Sequence, residues 1–363
     1  MNAVLKDIRD NKPLWLLAFV PVLFVVEKMK PEAHTALFLV SVLAIVPLTM
    51  LLTRATESVA AVTGDAVGGL LNATLGNLAE FVIALAALRA GQYMLVKASL
   101  AGPIVVNTLF VLGMSFFLGG LKHHEQEFNQ TNARMQSSLL FLATVALLIP
   151  SVISHVDSAP ETFTTKLSLG LAILLIVTYA LSMYFSLGTH KDMFVSVSHG
   201  GGDSKPWPVA IGATMLVVVT VLVALVSEIF VESVQEAAKA FGMTPAFVGF
   251  VVVALVGCAS AMPTAFSGGT KNRLDLSVGI ALGSASQIAL FVAPLLVILS
   301  YFMGPTPMDL RFWPGAVVMM FFATLAATMM TNTGRSAWFV GALLVLVYMI
   351  FAMTLYLLPP RGQ

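Results

Sequence analysis

The chain has 363 residues, of which 58% are hydrophobic and only 10% are charged, with a formal net charge of +1. Soluble domains carry about 25% charged residues, so this composition and a mean hydropathy of +0.93 exclude a water-soluble globular protein. The near-neutral charge gives no support for a nucleic-acid partner. The single cysteine, Cys258, excludes an intrachain disulfide and a cysteine-based zinc site, and we interpret it as a small buried hydrophobic residue.

Apolar runs recur from Pro13 to Pro359, and many approach the roughly 20 residues that a helix needs to cross a bilayer. When these runs are divided at proline, glycine and charged residues, they predict an all-α integral membrane protein with about eleven transmembrane helices. The predicted spans are residues 13–28, 35–62, 66–89, 94–119, 135–154, 165–187, 207–240, 244–270, 274–302, 311–331 and 335–358. The second and seventh are longer than a bilayer requires, so we expect them to tilt or protrude.

The spans are predicted to form one transmembrane domain that occupies residues 1–363. It begins with an N-terminal helix in residues 1–34, followed by one repeat in residues 35–187 and a second repeat in residues 207–363. Between the repeats, residues 188–206 contain three consecutive glycines and little apolar sequence, which is typical of a flexible linker.

The two repeats are related in sequence and are predicted to be inverted. Sliding residues 76–113 onto 257–294 without a gap, an offset of 181, matches Gly76 with Gly257 and repeats the triplet Leu-Phe-Val. The offset covers an odd number of predicted helices, so the second five-helix repeat should cross the membrane in the opposite sense. Inverted repeats place their substrate near the membrane midplane, where helices are interrupted.

Charged residues in the connections predict the orientation of the protein. When the connections are assigned alternately to the two sides, the side that holds the N-terminus collects more Lys and Arg. Cytoplasmic loops carry an excess of these residues. We therefore expect a multi-pass protein of the cell (inner) membrane with a cytoplasmic N-terminus, while the oligomeric state stays open.

The segment Gly76-Asn77-Leu78-Ala79-Glu80 places a carboxylate in the middle of a predicted membrane helix. Such a group is costly unless it faces partners or water, and is by default functional. On a continuous helix, Asn77 and Glu80 share a face and offer the oxygen ligands that Ca²⁺ prefers. Glu80 can also exchange a proton for the cation, and Gly76 allows another backbone to approach. We predict Glu80 and Asn77 as metal ligands; the alternative is a structural buried pair.

Five other polar residues are candidates for the ion-binding site. Two are acids, Glu57 and Glu228, which interrupt apolar helices and are candidates for the ion or proton path. The neutral candidates are Asn107, Ser284 and Gln287, which interhelical hydrogen bonding explains equally well. No G-x-S-x-G, P-loop or H-E-x-x-H motif occurs, so an embedded hydrolase or an ATP-driven pump has no support.

Several segments, in this order, form the pattern of a known family. They are Ala55-Thr56-Glu57, Gly68-Gly69-Leu70-Leu71-Asn72-Ala73-Thr74, Gly76-Asn77-Leu78-Ala79-Glu80, Lys97-Ala98-Ser99-Leu100-Ala101-Gly102, Lys271-Asn272-Arg273-Leu274-Asp275-Leu276, Gly283-Ser284-Ala285-Ser286-Gln287 and Gly334-Arg335-Ser336. Through them the chain resembles the CAX-type cation/proton exchangers of the calcium/cation antiporter superfamily over nearly its whole length. The resemblance implies a secondary antiporter, not an enzyme, with a metal cation and protons as substrates, a lipid bilayer around it and no resident cofactor.

The second signature of that family is altered in this chain. Where the family has a G-N-x-x-E-H pattern, the sequence is Gly257-Cys258-Ala259-Ser260-Ala261-Met262. The paired-glutamate site that the resemblance implies is therefore reduced to its Glu80 half. Three hypotheses stay open: Ca²⁺/H⁺ exchange with help from other acids, exchange of a monovalent cation such as Na⁺ or K⁺, and a transport-impaired structural or regulatory membrane protein. Pro263 further predicts that the eighth helix is kinked.

Overall fold

The computed structural model describes Val4 and residues 7–9, 11–63, 65–156, 161–190 and 206–357. Within these residues the chain is almost wholly helical, as the composition predicts. The greater part of the predicted linker, 188–206, lies outside the described residues.

Eight of the eleven predicted spans coincide, to within five residues, with long helices in the described part of the chain. In chain order the helical elements are a 3-10 helix Lys12–Ala18, α1 Phe19–Met29, α2 His34–Ala60, α3 Asp65–Leu75, α4 Leu78–Arg89, α5 Tyr93–Val105, a π-helix Val106–Val111, α6 Leu112–His123, α7 Gln130–Val156, α8 Glu161–Tyr184, a π-helix Phe185–Thr189, α9 Val209–Ala240, α10 Pro245–Phe247, a π-helix Val248–Val253, α11 Ala254–Cys258, α12 Met262–Thr270, α13 Leu274–Gln287, a π-helix Ile288–Val292, α14 Ala293–Met303, α15 Pro314–Thr331 and α16 Trp338–Leu357. Two short strands, β1 Glu125–Glu127 and β2 Arg335–Ala337, pair antiparallel with Gln126 opposite Ser336.

Eight helices in the described residues are long and apolar enough to cross a membrane. A ninth span is formed if Val248–Cys258 and Met262–Thr270, which are bent by 65° at a short break, are counted together. The predicted total of eleven is therefore not established. The two predicted spans that fall short are the N-terminal one, of which α1 is only 11 residues long, and the one that divides into α3 and α4.

The prediction of one continuous helix over residues 66–89 is wrong, because α3 ends at Leu75 and α4 begins at Leu78. Asn77 occupies the N-cap of α4 with φ −112° and ψ 32°, outside helical geometry. Glycine and asparagine are both weak helix formers, so Gly76-Asn77 is the least costly place for the interruption. Asn77 and Glu80 therefore do not share a helix face in the way the sequence predicted.

The predicted kink in the eighth helix is confirmed by the break between α11 and α12. Pro263 lies in the first turn of α12, where its missing N–H costs nothing, whereas its ring would clash with a helical turn before it. Adding 181 to the break at Gly76-Asn77 gives 257–258, directly before this second break. The same offset carries the π-helix residues 107–111 onto 288–292. The interruptions therefore recur at matching positions in the two halves.

The halves meet along two long helices, α2 and α9, whose contact is the most extensive in the described part of the chain. Phe38 stacks on Phe230 there with 5.5 Å between ring centroids, and both side chains are buried. Gly212 also packs directly against Val59. A Cβ at position 212 would lie only 3.2 Å from a methyl group of that valine. This close packing places the interrupted helices of both halves beside each other.

A loop of each half also contacts a helix of the other half. Residues 124–129 follow α6, and the backbone N–H of Asn129 donates to Asp275 Oδ1 at 2.5 Å. The loop that matches it after addition of 181 is 305–310, where Asp309 forms a salt bridge of 2.5 Å with Lys97. These two loops, 124–129 and 305–310, are called the crossed loops, because each contacts a helix of the other half.

Candidate cation-binding site

Glu80 lies in the first turn of α4 and is 8% exposed. The N-terminus of a helix carries partial positive charge, which favours a carboxylate there. Gly257 of the second half lies directly against it, because a Cβ on Gly257 would be 3.0 Å from Glu80 Cγ and 3.4 Å from Oε1. In the described residues, no salt bridge involves Glu80. The acid is therefore buried at the junction of the two interrupted helices.

Asn77 extends from the first break into the second half of the chain. The hydroxyl of Ser284 donates to Asn77 Oδ1 at 2.5 Å, and Asn77 Nδ2 donates to the side-chain oxygen of Gln287. Gly76 allows this approach, since a Cβ there would lie 3.3 Å from Gln287 Oε1 and 2.7 Å from the carbonyl oxygen of Asn72. Four of the sequence-predicted site residues, Gly76, Asn77, Ser284 and Gln287, are therefore brought together.

A reciprocal contact joins the second break to the first half. Asn107 Nδ2 donates to Cys258 Sγ at 3.3 Å. By the 181 offset Cys258 is the counterpart of Asn77, and Asn107 is the counterpart of Ile288, the neighbour of Gln287. In each half, a polar side chain near the start of a π-helix therefore contacts the helix break of the other half. These side chains are Asn107 in the first half and Gln287 in the second.

Three buried polar atoms around these contacts have no hydrogen-bond partner among the described residues: Gln287 Nε2, Asn107 Oδ1 and Tyr348 Oη. Buried polar groups are almost always paired in folded proteins, and an unpaired one costs about 1–3 kcal/mol. Their clustering beside the helix breaks indicates a place where a ligand or water completes the bonding. Glu80, Asn77 and Asn107 supply the hard oxygen atoms that suit a cation.

Glu57 and Glu228 each form an ion pair with an arginine. Glu57 forms an ion pair with Arg54 at 3.8 Å, and Glu228 forms one with Arg89 at 3.5 Å. Arg89 is the last residue of α4, about two and a half turns beyond Glu80, so Glu228 marks the far end of that helix. Across the residues that the structure describes, no cluster of three His, Cys, Asp or Glu side chains could hold a metal ion. Neither of these two ion pairs involves Glu80.

Gly257, Cys258 and Tyr348 are not among the ion-binding residues predicted from the sequence, although Gly257 and Cys258 belong to the altered second signature. The 181 offset matches these two residues with Gly76 and Asn77, which is the sequence signal for their place in the site. The hydroxyl of Tyr348 lies within the apolar helix α16, whereas tyrosines of membrane proteins prefer the interface with water. That unusual position is the only sequence signal for Tyr348.

Comparisons with known proteins agree with this architecture. The family model described as "Sodium/calcium exchanger protein" matches residues 33–188 and 211–357. A "Ca(2+)/H(+) antiporter" of Aphanothece halophytica is 38% identical over 360 residues, covering 95% of this chain and 96% of that protein. The "Ca(2+)/H(+) antiporter ChaA" of Bacillus subtilis is 40% identical over 327 residues, covering 89% of this chain and 92% of that protein.

Solved structures have the same fold. The structure of native YfkE superposes with a TM-score of 0.82 at 38% identity, covering 94% of this chain and 98% of that chain. The H⁺/Ca²⁺ exchanger CAX superposes with a TM-score of 0.69 at 15% identity, covering 95% of this chain and 91% of that chain. At 15% identity, the similarity to CAX shows a shared fold alone.

Proposed function

This chain belongs to the sodium/calcium exchanger protein family, and we propose that it is a secondary antiporter that exchanges Ca²⁺ for protons across a membrane by alternating access. The observation that carries the proposal is the burial of Glu80 where an interrupted helix of one half meets an interrupted helix of the other. Two relatives that match nearly the whole chain are named Ca²⁺/H⁺ antiporters, which supports the choice of substrates.

Glu80 couples the two substrates in this proposal because its carboxylate holds either the cation or a proton. The carboxylate loses its ligand role when it is protonated, so proton binding and cation binding exclude each other. Asn77 supplies a neutral oxygen from the same break, and the Ser284 hydroxyl and the Gln287 amide hold its side chain across the two halves. Relative movement of the halves would expose this site first to one side and then to the other.

A second candidate function is exchange of Na⁺ or K⁺ for a proton. The observation that favours it is the absence of an acid at Ala261, the counterpart of Glu80. One carboxylate balances the charge of a monovalent cation but only half of the charge of Ca²⁺. A transport-impaired membrane protein is the third possibility, and the absence of any cation flux would identify it.

Proteoliposomes under an imposed pH gradient test these functions directly. We expect Ca²⁺ uptake to exceed Na⁺ or K⁺ uptake and Glu80→Gln to abolish it, because the amide cannot release a proton. Glu228→Gln is the matched control, since Glu228 is an exposed acid paired with Arg89 at the far end of α4, and it should retain uptake. Undiminished Ca²⁺ flux in a folded Glu80→Gln protein would remove Glu80 from the mechanism.

We further propose residence in the cell (inner) membrane with the N-terminus in the cytoplasm, on the basis of the Lys and Arg distribution. An odd number of spans then places the C-terminus outside. Reporter fusions at the two termini should show opposite orientations. Reporters that are active on the same side would contradict the eleven-span topology.

A further inference from the structure

Cys258, the single cysteine of the chain, lies beside Glu80 at the end of α11 and is 1% exposed. The backbone of Gly257, immediately before it, lies against the Glu80 side chain, since a Cβ on Gly257 would be 3.4 Å from Glu80 Oε1. The thiol is therefore at the centre of the proposed transport site, although the proposed Ca²⁺/H⁺ exchange assigns no role to it.

Two unpartnered oxygen atoms lie around this sulfur. Asn107 is fully buried and donates its amide N–H to Cys258 Sγ at 3.3 Å, which leaves its Oδ1 without a partner in the described residues. Tyr348 is 3% exposed, its hydroxyl also lacks a described partner, and its ring packs 5.2 Å from that of Phe110, three residues after Asn107. Such atoms are rare in folded proteins, so two of them in the surroundings of one buried thiol indicate a missing ligand.

The atoms available there are one sulfur, one carboxylate and two neutral oxygens. Ca²⁺ prefers six to eight oxygen ligands and has little affinity for sulfur. Zn²⁺ and the chemically similar Cd²⁺ accept thiolate together with carboxylate and neutral donors and are satisfied by about four ligands. One cysteine cannot form a zinc site alone, but Glu80 supplies the second negative charge.

We propose that Cys258 and Glu80 together bind a thiophilic divalent cation, Zn²⁺ or Cd²⁺, with Asn107 Oδ1 and the Tyr348 hydroxyl as neutral donors. This proposal rests on the proposed function, since it assigns a class of cation to the same transport site. The thiolate provides the negative charge that Ala261 cannot provide. Binding releases the thiol proton to the surrounding water, because the metal replaces it on sulfur.

Cd²⁺ is the probe, because a Cd²⁺–thiolate bond gives an ultraviolet charge-transfer absorption that oxygen ligands do not give. Purified full-length protein in detergent micelles should develop this band on titration with Cd²⁺. Cys258→Ser should lose the band and weaken Cd²⁺ binding by at least about tenfold, as loss of a metal ligand or its support commonly does. Ser260→Ala, two residues away, is the control and should keep both. Absence of the band in the native protein, or unchanged Cd²⁺ affinity in Cys258→Ser, would overturn the proposal.

Flux measurements separate this proposal from the proposed function. Ca²⁺/H⁺ exchange that depends on Glu80, with no Cd²⁺ band in the native protein, would leave the function standing and remove the cysteine from the site. A Cys258-dependent band in a protein that moves neither Ca²⁺ nor Cd²⁺ would support the site and remove the exchanger. If both proposals hold, the native protein shows the Cd²⁺ band, and Cd²⁺ inhibits its Ca²⁺ uptake. Inhibition of Ca²⁺ uptake by the Cys258→Ser variant should require at least about tenfold more Cd²⁺.

Discussion

At the scale of the residue, the contact between Glu80 and Gly257 decides how closely the two halves approach. Gly257 has no side chain, and its Cα hydrogens face the aliphatic part of Glu80. Any larger residue would have to displace either the acid or the backbone of α11. The position of the carboxylate therefore depends on a residue that carries no chemical function itself.

Gly257→Ala is expected to lower the exchange rate by on the order of tenfold, because small misplacements of a reacting group cost that much or more. Gly170→Ala is the matched control, since Gly170 also lies within a helix but a Cβ there would have nothing within 4 Å. Both changes raise helix propensity by similar amounts, so the comparison isolates the contact with Glu80. Proteoliposome uptake measures both, and equal rates for the two variants would contradict the steric role.

At the scale of the element, the two crossed loops hold the helices of one half against the other. In the loop 305–310, Asp309 accepts hydrogen bonds from both Lys97 Nζ and Arg311 Nε at 2.5 Å. Lys97 is largely buried, and a buried ammonium group that loses its partner is costly. The salt bridge between Lys97 and Asp309 therefore connects α5 of the first half to the second half.

Asp309→Asn is expected to lower the free energy of unfolding by about 1–3 kcal/mol, since Lys97 stays in place without its counter-ion. Glu127→Gln is the control, because Glu127 forms an exposed salt bridge of 2.7 Å with Arg335 that should contribute at most about 1 kcal/mol. Unfolding of the detergent-solubilised variants measures the difference. A loss for Glu127→Gln as large as that for Asp309→Asn would argue against a special role for the buried pair.

The same pair predicts a dependence of stability on pH. Burial raises the pKa of Asp309, but Lys97 and Arg311 lower it more, so the net pKa lies below the ordinary value. A depressed folded-state pKa gives a stabilisation that is complete above the ordinary pKa of about 4 and is lost as the pH falls through the folded value. As the pH is lowered from about 5 to the lowest value at which both proteins stay soluble, the free energy of unfolding should therefore fall more for the native protein than for the Asp309→Asn variant.

At the scale of the whole molecule, two half-sites with different ligands face each other. The first offers Asn77 and Glu80, whereas the second offers Cys258 and Ala261 at the matching positions. In this arrangement, one of the two negative charges that would balance a hard divalent cation is missing. Because charge in a site of low dielectric constant is poorly replaced by neutral oxygens, the affinity for Ca²⁺ should be weaker than in a site with two acids.

Restoring the second half-site with Cys258→Asn together with Ala261→Glu is expected to strengthen Ca²⁺ binding at least about tenfold, since ligand charge tunes Ca²⁺ affinity over several orders of magnitude. Equilibrium binding of Ca²⁺ to purified protein measures the change. Cys258→Asn alone is the control, because it adds an oxygen ligand without a charge. If native protein binds Ca²⁺ tightly and the double variant binds no better, a second acid already completes the site.

Much of this architecture follows from the sequence alone. The long apolar runs predicted the bounds of the eight membrane-length helices in the described residues to within five residues, because a helix satisfies every backbone hydrogen bond within one segment inside a bilayer. A carboxylate within such a run identified Glu80, since its burial requires a compensating function. The 181-residue offset further predicted that residues 76–80 have a counterpart at 257–261, and Gly257 indeed lies against Glu80.

Tertiary structure decided what local pattern could not. The break at Gly76-Asn77 looks, in sequence, like a tolerable weakness within a helix, and it becomes an interruption because Asn77 bonds to Ser284 and Gln287 instead. Cys258 is an ordinary small apolar residue until Asn107 donates a hydrogen bond to its sulfur. Helix periodicity extends over a few turns, whereas these contacts join residues more than a hundred positions apart, so only the packing of the two halves could determine which polar groups meet.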